Sequence, residues 1–588
     1  MSRFSSDSSY LLFTHEGVAM KKTQATAQAV TLLKKDFPID FISIDTANIE
    51  TFPSIIKLFT KFVSSYKKSG LRHMRNIFFT ILLTVSCITA YAQTTLQQTA
   101  EAMAADPVFS HAVTGIKVMT GAGDVLAEAD ADRMLVPASN MKLISTGAAL
   151  FSLGPSYRFG TDIAYDGTIS DGTLHGDLYI VGGADPTLGS KDTLATPLTE
   201  VFEEWEKAIR SAGIRNIEGR IIGDGRWLEG MSEEPTWLWN DLGTYYGTGV
   251  SGLMFYENMM SFSVSPGKVP GDPIDIRPYY PSASWMEFRY NCTTGAKGTG
   301  DKLYMYTSRF APVAEIRGTF GVDRGQKRVD CSNKFPEYTC AVYFKNFLEK
   351  KGIRCTGGAA DFSLRTEWLE GRKPSKLTGL SGDSLKVIGT TYSPTLDRIA
   401  FATNHASNNL YAETLLRTLG HENRGSSCYD SSYVALKDVL RKMRVGTASG
   451  LNIQDGSGLS RQNLVSADFM CRFLGAMMDS PCFEEFLWSL PYPGGDGSLS
   501  YNMKGYDETL RRRIRVKSGS MNGVRCYSGY VLPADFDFMS FADRKSLKEL
   551  PQEVKDRIII FSVLTGNCVS PQWKVRPMLD RFMAEVAK

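Results

Sequence analysis

The sequence lacks the charge excess that marks many nucleic-acid-binding chains. Its formal net charge is +3 over 588 residues, and the first 92 residues account for the surplus. Without them, 55 Lys and Arg stand against 57 Asp and Glu, a net charge of −2. A chain with so little net charge offers no electrostatic footprint for nucleic acid, so we expect no nucleic-acid partner.

Long apolar runs, repeats and metal-ligand spacings are also absent. The apolar run at residues 77–88 is about a dozen residues long, which is too short to span a bilayer comfortably. No internal repeat or low-complexity tract indicates a repeat architecture. No CxxC pair or His-rich spacing predicts a zinc site, so we expect neither a metal nor a cofactor.

The N-terminal part contains the pattern of an export signal, displaced from the start of the chain. Arg75 precedes the apolar run, and Ala90-Tyr91-Ala92 follows it as a cleavage site. We therefore predict a signal peptide at 74–92, cleaved after Ala92, and a periplasmic location. Residues 1–73 are then an upstream over-extension of the reading frame. The alternatives are an internal membrane anchor, a buried helix, or a lipoprotein at Cys87, although Thr84-Val85-Ser86 lacks the preferred Leu.

Cysteine usage fits an exported protein only loosely. The chain has ten cysteines, one of them in the predicted signal, so at least one of the other nine has no partner within the chain. Cys331, Cys340 and Cys355 are clustered and Cys292 is not far away, which favours disulfide bonds there. Their pairing stays open.

Helical and strand segments alternate near both chain ends, with a different region between them. A hairpin is predicted over 113–128, and Ser139 opens a helix that runs to about Leu153. Residues 156–385 consist mainly of short strands and turns, with a helix near 197–212. Helices return at about 339–351, 393–420, 431–443 and 467–479, and strands at 513–518, 526–532 and 557–564 precede a last helix near 571–587. The pattern predicts an α+β chain whose two ends, 94–155 and 386–588, flank a β-rich block that looks like an insertion inside one domain.

The first motif that could carry chemistry is Ser139-Asn140-Met141-Lys142. Positions i and i+3 share a helix face, so the hydroxyl and the amine can meet. Serine is a weak nucleophile that needs a base, and lysine can be that base only if burial and a nearby cation lower its pKa. Pro137 suits the first helical turn. By itself the motif also fits an ordinary helix start with a surface lysine.

The second motif is Ser407-Asn408-Asn409. Ser407 could relay a proton and Asn409 could hold a substrate amide, although the same residues would also suit an N-cap before a helix. His405 beside them is an alternative base.

The third motif, Lys517-Ser518-Gly519, ends a predicted strand. Lys517 offers positive charge and Ser518 a hydroxyl to a terminal carboxylate. Gly519 would let a substrate lie close to the strand backbone. The alternative is a basic strand that ends in a turn.

The three motifs in this order resemble the S-x-x-K, S-D-N and K-T-G set of penicillin-binding proteins and β-lactamases. The chain departs from that set by Asn408 for Asp and Ser518 for Thr. Ser139 and Ser407 are 268 residues apart, which leaves room for the whole inserted region. With segments 176–188, 455–461 and 490–497, the sequence resembles the class C low-molecular-mass penicillin-binding proteins, the type 4 family of D-Ala-D-Ala carboxypeptidases and endopeptidases.

This resemblance implies a transpeptidase-like domain, with a five-stranded antiparallel sheet between helices and two small β-rich domains inserted. It implies that Ser139 attacks the penultimate D-Ala carbonyl with Lys142 as base, and that water resolves the acyl-enzyme. Ser407 and Lys517 would pass the proton to the leaving amine, with Lys517 also keeping Lys142 neutral by repulsion. Asn409 would orient the substrate, and the backbone N–H groups of Ser139 and Ser520 would form the oxyanion hole.

The resemblance also implies a subsite for diaminopimelate, with its free amine and carboxylate. The matching positions are Asp241, Tyr246, Arg461 and Asn522, where Tyr and Asn replace the family's Phe and Gln. Asp suits an ammonium group and Arg a carboxylate. The expected partners are peptidoglycan peptides and cross-links and β-lactams as covalent inhibitors, with peripheral membrane association left open. A β-lactamase and a non-catalytic wall scaffold are the alternative functions.

Overall fold

The two ends of the chain meet in one antiparallel sheet, here called the catalytic sheet. A computed structural model describes residues 95–362, 385–446, 449–536 and 550–588, so the predicted signal at 74–92 and residues 1–73 lie outside the described part. The strands lie side by side in the order Val125–Ala129, Val113–Thr120, Ile559–Gly566, Val524–Val531 and Ile514–Met521. The hairpin and the three late strands predicted from the sequence are confirmed.

The side chains of the catalytic sheet alternate between two apolar clusters, one on each face of the sheet. Ile560 and Leu564 belong to one cluster, whereas Phe561 and Val563 on the same strand belong to the other. This is the two-residue period of a strand that is buried on both faces. The sheet is therefore the middle layer between two groups of helices.

The larger helical group carries the predicted catalytic motifs. Its helices are Met141–Leu153, Leu396–Ala406, Asn409–Arg424, Tyr429–Lys442, Ala467–Met478 and Phe483–Ser489. Helix 95–104 and the helix Gln572–Val586 cover the opposite face. Short helical turns lie at Pro107–Phe109, Ala138–Asn140, Tyr256–Asn258, Gly497–Leu499, Glu508–Arg513 and Gln552–Lys555, and a small strand pair is formed by Leu451–Asn452 and Leu464–Val465.

The single helix predicted over 393–420 is wrong, because the structure has two helices there. The first ends at Ser407, whose φ of 57° and ψ of 40° place it in the left-handed region. Asn408 then caps the second helix by accepting a hydrogen bond from the Tyr411 N–H at 3.1 Å. A left-handed residue ends a helix and turns the chain sharply, so Ser407 and Asn409 lie at a corner.

The inserted region contains two main apolar clusters, one around Trp205 and Phe344 and one around Phe262 and Phe320. Its helices are Leu198–Ser211 and Pro336–Lys350. One five-stranded mixed sheet has the order Ala359–Asp361, Ile221–Asp224, Leu178–Gly182, Gly160–Tyr165 and Lys386–Tyr392. A smaller, four-stranded sheet has the order Arg354–Cys355, Asn216–Ile217, Thr173–His175 and Thr168–Ser170. Two three-stranded sheets follow, Asp275–Pro278 with Met259–Ser265 and Lys327–Ser332, and Glu287–Gly295 with Ala311–Gly321 and Asp301–Ser308.

The last strand of the mixed sheet lies beyond the predicted boundary of the insertion. Strand Lys386–Tyr392 pairs with Gly160–Tyr165, although the boundary at residue 385 assigns it to the other part of the chain. At the end of this pairing, Ser393 and Phe159 exchange two hydrogen bonds of 2.9 Å. Entry to and exit from the inserted region are therefore side by side.

All nine cysteines among the described residues are free thiols. The disulfide bonds favoured by the clustering of Cys331, Cys340 and Cys355 are not formed. Cys331 is buried in a different apolar cluster from Cys340 and Cys355, so its closeness to them in sequence does not bring it next to them. In the part of the chain that the structure describes, no helix is long and apolar enough to cross a membrane.

Candidate active site

Ser139 lies in a tight helical turn at the start of the helix Met141–Leu153. The preceding Ala138 has a φ of 45°, a left-handed conformation that is costly for an L-residue and needs support from its surroundings. Glycines supply that support by close approach. A Cβ atom at Gly519 would collide with the Pro137 carbonyl oxygen. A Cβ atom at Gly458 would collide with the Ala138 carbonyl oxygen. Gly519 therefore makes room for the turn that carries Ser139. The motif predicts only that Gly519 makes room for a substrate.

Lys142 is fully buried below this turn. Its Nζ donates hydrogen bonds to Ser139 Oγ at 3.0 Å, to Asn409 Oδ1 at 2.6 Å and to the Ser457 carbonyl at 2.7 Å. Burial lowers the pKa of Lys142 to about 7, although the carboxylates of Asp455 and Glu413 oppose the shift. A lysine with that pKa is partly neutral near pH 7 and can accept a proton.

Lys517 and Ser407 form a second lysine–serine pair. Lys517 Nζ donates to Ser407 Oγ at 3.0 Å and to the Ser518 carbonyl at 2.8 Å. Burial, followed by the positive charges of Lys142 and Arg525, lowers the pKa of Lys517 well below its usual range. Burial therefore favours the neutral form of Lys517. Repulsion from Lys517 was expected to lower the pKa of Lys142, but burial lowers it instead. The charge of Lys142 contributes to the lowered pKa of Lys517.

Asn409 connects this centre to the inserted region. Its Oδ1 accepts from Lys142, and its Nδ2 donates to the Tyr246 carbonyl at 2.9 Å. A backbone carbonyl can only accept, so the Tyr246 carbonyl fixes the orientation of the amide and directs Oδ1 to Lys142.

The strand that carries Lys517 is the edge of the catalytic sheet. Val516 N–H bonds to the Pro491 carbonyl and the Arg513 carbonyl accepts from Leu532 N–H, so even-numbered residues direct their backbone groups away from the sheet. The N–H groups of Ser518 and Ser520 therefore point to the open edge.

The four residues expected to read a substrate side chain lie next to this centre. Tyr246 Oη donates to Asp241 Oδ1 at 3.1 Å, and Arg461 donates to the Asn522 carbonyl through Nη1 at 3.3 Å and Nη2 at 3.2 Å. Burial raises the pKa of Asp241, while Tyr246 and Arg461 act against that shift. Asp241 and Arg461 are thus electrostatic neighbours.

His405 does not fit the role of a base. Its ring stacks on Phe401 with 3.8 Å between centroids, and burial with Arg515 and Lys517 lowers its pKa to about 4.

Sequence reasoning missed the acidic support of Lys142. Glu413 accepts hydrogen bonds from the N–H groups of Gly456 and Ser457, at 3.0 and 2.7 Å, and so holds the carbonyl that binds Lys142. Asp455 accepts from Gly458 N–H at 2.7 Å and from Trp237 Nε1 at 2.9 Å. One signal was available, because Glu413 is four residues from Asn409 and shares its helix face.

Comparison with known proteins agrees with this arrangement. Residues 96–559 match the D-Ala-D-Ala carboxypeptidase 3 (S13) family. The chain belongs to this family. A D-alanyl-D-alanine carboxypeptidase of Actinomadura sp. (strain R39) is 28% identical over 450 residues, which cover 74% of this chain and 78% of that protein.

This chain also shares its fold with a solved structure. Penicillin-binding protein 4 (dacB) from Haemophilus influenzae matches with a TM-score of 0.65 and 18% identity, over 84% of this chain and 98% of that one. Its complex with a novel β-lactam matches with a TM-score of 0.60 and 17% identity over the same shares. The predicted family and α+β fold are confirmed. The chain is a peptidase of the D-Ala-D-Ala carboxypeptidase type, and neither a β-lactamase nor a scaffold is favoured.

Proposed function

We propose that Ser139 is the acylated nucleophile and Lys142 its general base in the cleavage of D-Ala-D-Ala peptides of peptidoglycan. The observation that carries the proposal is the buried contact of Lys142 Nζ with Ser139 Oγ at 3.0 Å, since burial brings the pKa of this amine to about 7. A serine beside a neutral amine is an activated nucleophile.

The reaction then follows from the two lysine–serine pairs. Lys142 takes the Ser139 hydroxyl proton as Oγ attacks the carbonyl of the penultimate D-Ala. The pair of Ser407 and Lys517 passes this proton from Lys142 to the leaving amine, so D-Ala departs and Lys142 is neutral again. Lys142 then takes a proton from the water that attacks the ester, and returns it to Ser139 Oγ as the acyl group leaves. The lowered pKa of Lys517 suits a relay, because its neutral form can both accept and donate a proton.

The negative oxygen formed in each step needs donors at the sheet edge. The backbone N–H groups of Ser139 and Ser520 are the proposed oxyanion hole, and each such donor contributes about 3–4 kcal/mol to the transition state. Ser518 and Lys517 would receive the terminal carboxylate of the substrate. An arriving carboxylate also favours protonated Lys517, which reconciles its lowered pKa with a role in binding.

A substrate side chain with both an ammonium and a carboxylate group suits the neighbouring subsite. Asp241 would bind the ammonium and Arg461 the carboxylate, with Tyr246 and the Asn522 region closing the pocket. Diaminopimelate has both groups. This supports D-Ala-diaminopimelate peptides and cross-links as substrates.

β-Lactams are the proposed covalent inhibitors, since they present a strained carbonyl to the same serine.

Export through the signal at 74–92 to the periplasm remains our proposal. The division into a catalytic domain built from both chain ends and an inserted pair of small domains is also a proposal. Peptidoglycan lies outside the cytoplasm, so the proposed substrate requires an exported enzyme.

Penicillin labelling tests the proposal directly. The protein is incubated with benzylpenicillin and digested, and the peptides are weighed by mass spectrometry beside a Ser139→Ala variant. We expect one adduct on the Ser139 peptide of the parent and none in the variant. Labelling elsewhere, or an unlabelled parent, contradicts the proposed nucleophile.

A further inference from the structure

Besides the Tyr246 carbonyl, a carboxylate of the inserted region contacts the corner that carries Ser407 and Asn409. Asn408, between these two residues, donates from Nδ2 to Glu257 Oε2 at 2.7 Å. The other oxygen, Glu257 Oε1, accepts from Ser190 Oγ at 2.7 Å, and Ser190 Oγ in turn accepts from Tyr411 Oη at 3.1 Å. The carboxylate thus links the start of the second helix, at Asn408 and Tyr411, to two loops of the insertion.

The backbone at Glu257 is unusual and fixed. Tyr256, Glu257 and Asn258 have φ angles of 52°, 55° and 52°, three left-handed L-residues in succession. Each costs free energy, and such strain persists only where surrounding contacts impose it. The Asn258 side chain imposes it here, because Oδ1 accepts from Phe255 N–H at 3.1 Å and Nδ2 donates to the Gly249 carbonyl at 2.9 Å. The backbone of the turn is thus fixed, and Ser190 and Asn408 hold the Glu257 carboxylate on it.

This contact explains why the second motif reads S-N-N here. An Asp at position 408 would place two carboxylates within 2.7 Å of each other, which repel in a partly buried site. Asn408 retains the helix cap through Oδ1 and gains a donor for Glu257 through Nδ2. The amide of Asn408 and the carboxylate of Glu257 are therefore complementary.

We infer that Glu257 is a positioning residue for acylation, which sets the placement of Ser407 and Asn409 through Asn408. The inference rests on the proposed function, because Ser407 and Asn409 matter only if that centre acylates. Glu257 itself touches neither Ser139 nor Lys142 through any hydrogen bond of the described residues. Its effect passes through the corner.

The test is a double-mutant cycle with E257Q, N408D and E257Q/N408D. The readouts are the acylation rate constant by benzylpenicillin per titrated active site, its noncovalent binding constant and the thermal midpoint. We expect N408D to acylate roughly tenfold more slowly with little change in noncovalent binding, and E257Q to stay within about threefold of the parent. In the double variant the introduced amide can donate to the introduced carboxylate, so we expect the rate to recover.

The outcomes distinguish a positioning role from a simple loss of folded protein. Normalising to titrated sites removes that loss, and E200Q, an exposed Glu→Gln change in helix Leu198–Ser211, is the matched control. If N408D does not fold, E257A replaces it, since Ala leaves Asn408 without its acceptor whereas Gln keeps one. An unlabelled parent contradicts the proposed function. A labelled parent with an unimpaired N408D, or a double variant as slow as N408D, overturns the positioning role alone.

Discussion

Gly519 and Pro137 lie so close together that the strand with Lys517 and the turn with Ser139 share one packing surface. The side of Gly519 where a Cβ would stand is occupied by the Pro137 carbonyl oxygen and by the backbone N of Asn140. The separation between nucleophile and sheet edge is therefore set by the absence of a side chain.

Substitution of this glycine should displace the nucleophile. We expect Gly519→Ala to reduce the acylation rate constant by about 10–100-fold, because a shift of about 1 Å in a reacting group has an effect of that size. Stopped-flow acylation by a chromogenic β-lactam measures it. Ser520→Ala on the same strand is the control, since its side chain is exposed and only its backbone is proposed to act. Equal rates for both variants would contradict the packing argument.

The rate of acylation should depend on pH through Lys142. Its pKa of about 7 lies far below the usual lysine value because of burial, and only the neutral amine accepts the Ser139 proton. We therefore expect the rate to rise with pH up to an apparent pKa near 7 and to fall about tenfold per pH unit below it. A pH profile of the acylation rate constant with benzylpenicillin checks this. A rate that stays constant across the pH range around this pKa would count against Lys142 as base.

Two isosteric variants should move this profile in opposite directions. Glu413→Gln removes a carboxyl group whose charge raises the pKa of Lys142, so the acid limb should shift to lower pH. The shift should be small, because burial and Asp455 raise the pKa of Glu413 to about 8. The amide oxygen of Gln can still accept from Gly456 and Ser457. Asn409→Asp adds a carboxylate 2.6 Å from Lys142 Nζ, so the limb should shift to higher pH. Shifts of the same sign would show that altered geometry rather than charge decides the profile.

Arg461 should determine which side chains the enzyme accepts. We expect Arg461→Gln to lower kcat/KM about 10–100-fold for a D-Ala-D-Ala peptide with diaminopimelate, because a charge-assisted hydrogen bond contributes about 1.5–3 kcal/mol. A peptide whose side chain has no carboxylate should be cleaved at nearly the parental rate. Arg289→Gln, on an exposed strand of the insertion, is the matched control. An equal loss for both peptides would place Arg461 outside the side-chain subsite.

Local patterns explain which parts of the site were predictable from sequence. The i, i+3 spacing of Ser139 and Lys142 and the order of the three motifs are readable without coordinates, and alternation in the late strands predicts the catalytic sheet. The helix break at Ser407 follows only from the alternative reading of Ser407-Asn408-Asn409 as an N-cap, because Ser in the left-handed region has no propensity signal of the kind that Gly provides. Glu413 was also missed, since its contacts with Gly456 and Ser457 depend on how a distant loop folds.

The hydrogen-bonded stem of the insertion has a consequence for how this enzyme is assembled. Because Phe159 and Ser393 are bonded to each other, a short linker could replace the whole insertion without pulling the remaining ends apart. The chain path therefore permits removal of the insertion. The chemistry does not, because the Tyr246 carbonyl and the Glu257 carboxylate reach back to Asn409 and Asn408. A shortened chimera would keep the motif side chains of Ser139, Lys142, Ser407 and Lys517 and lose the contacts that align them.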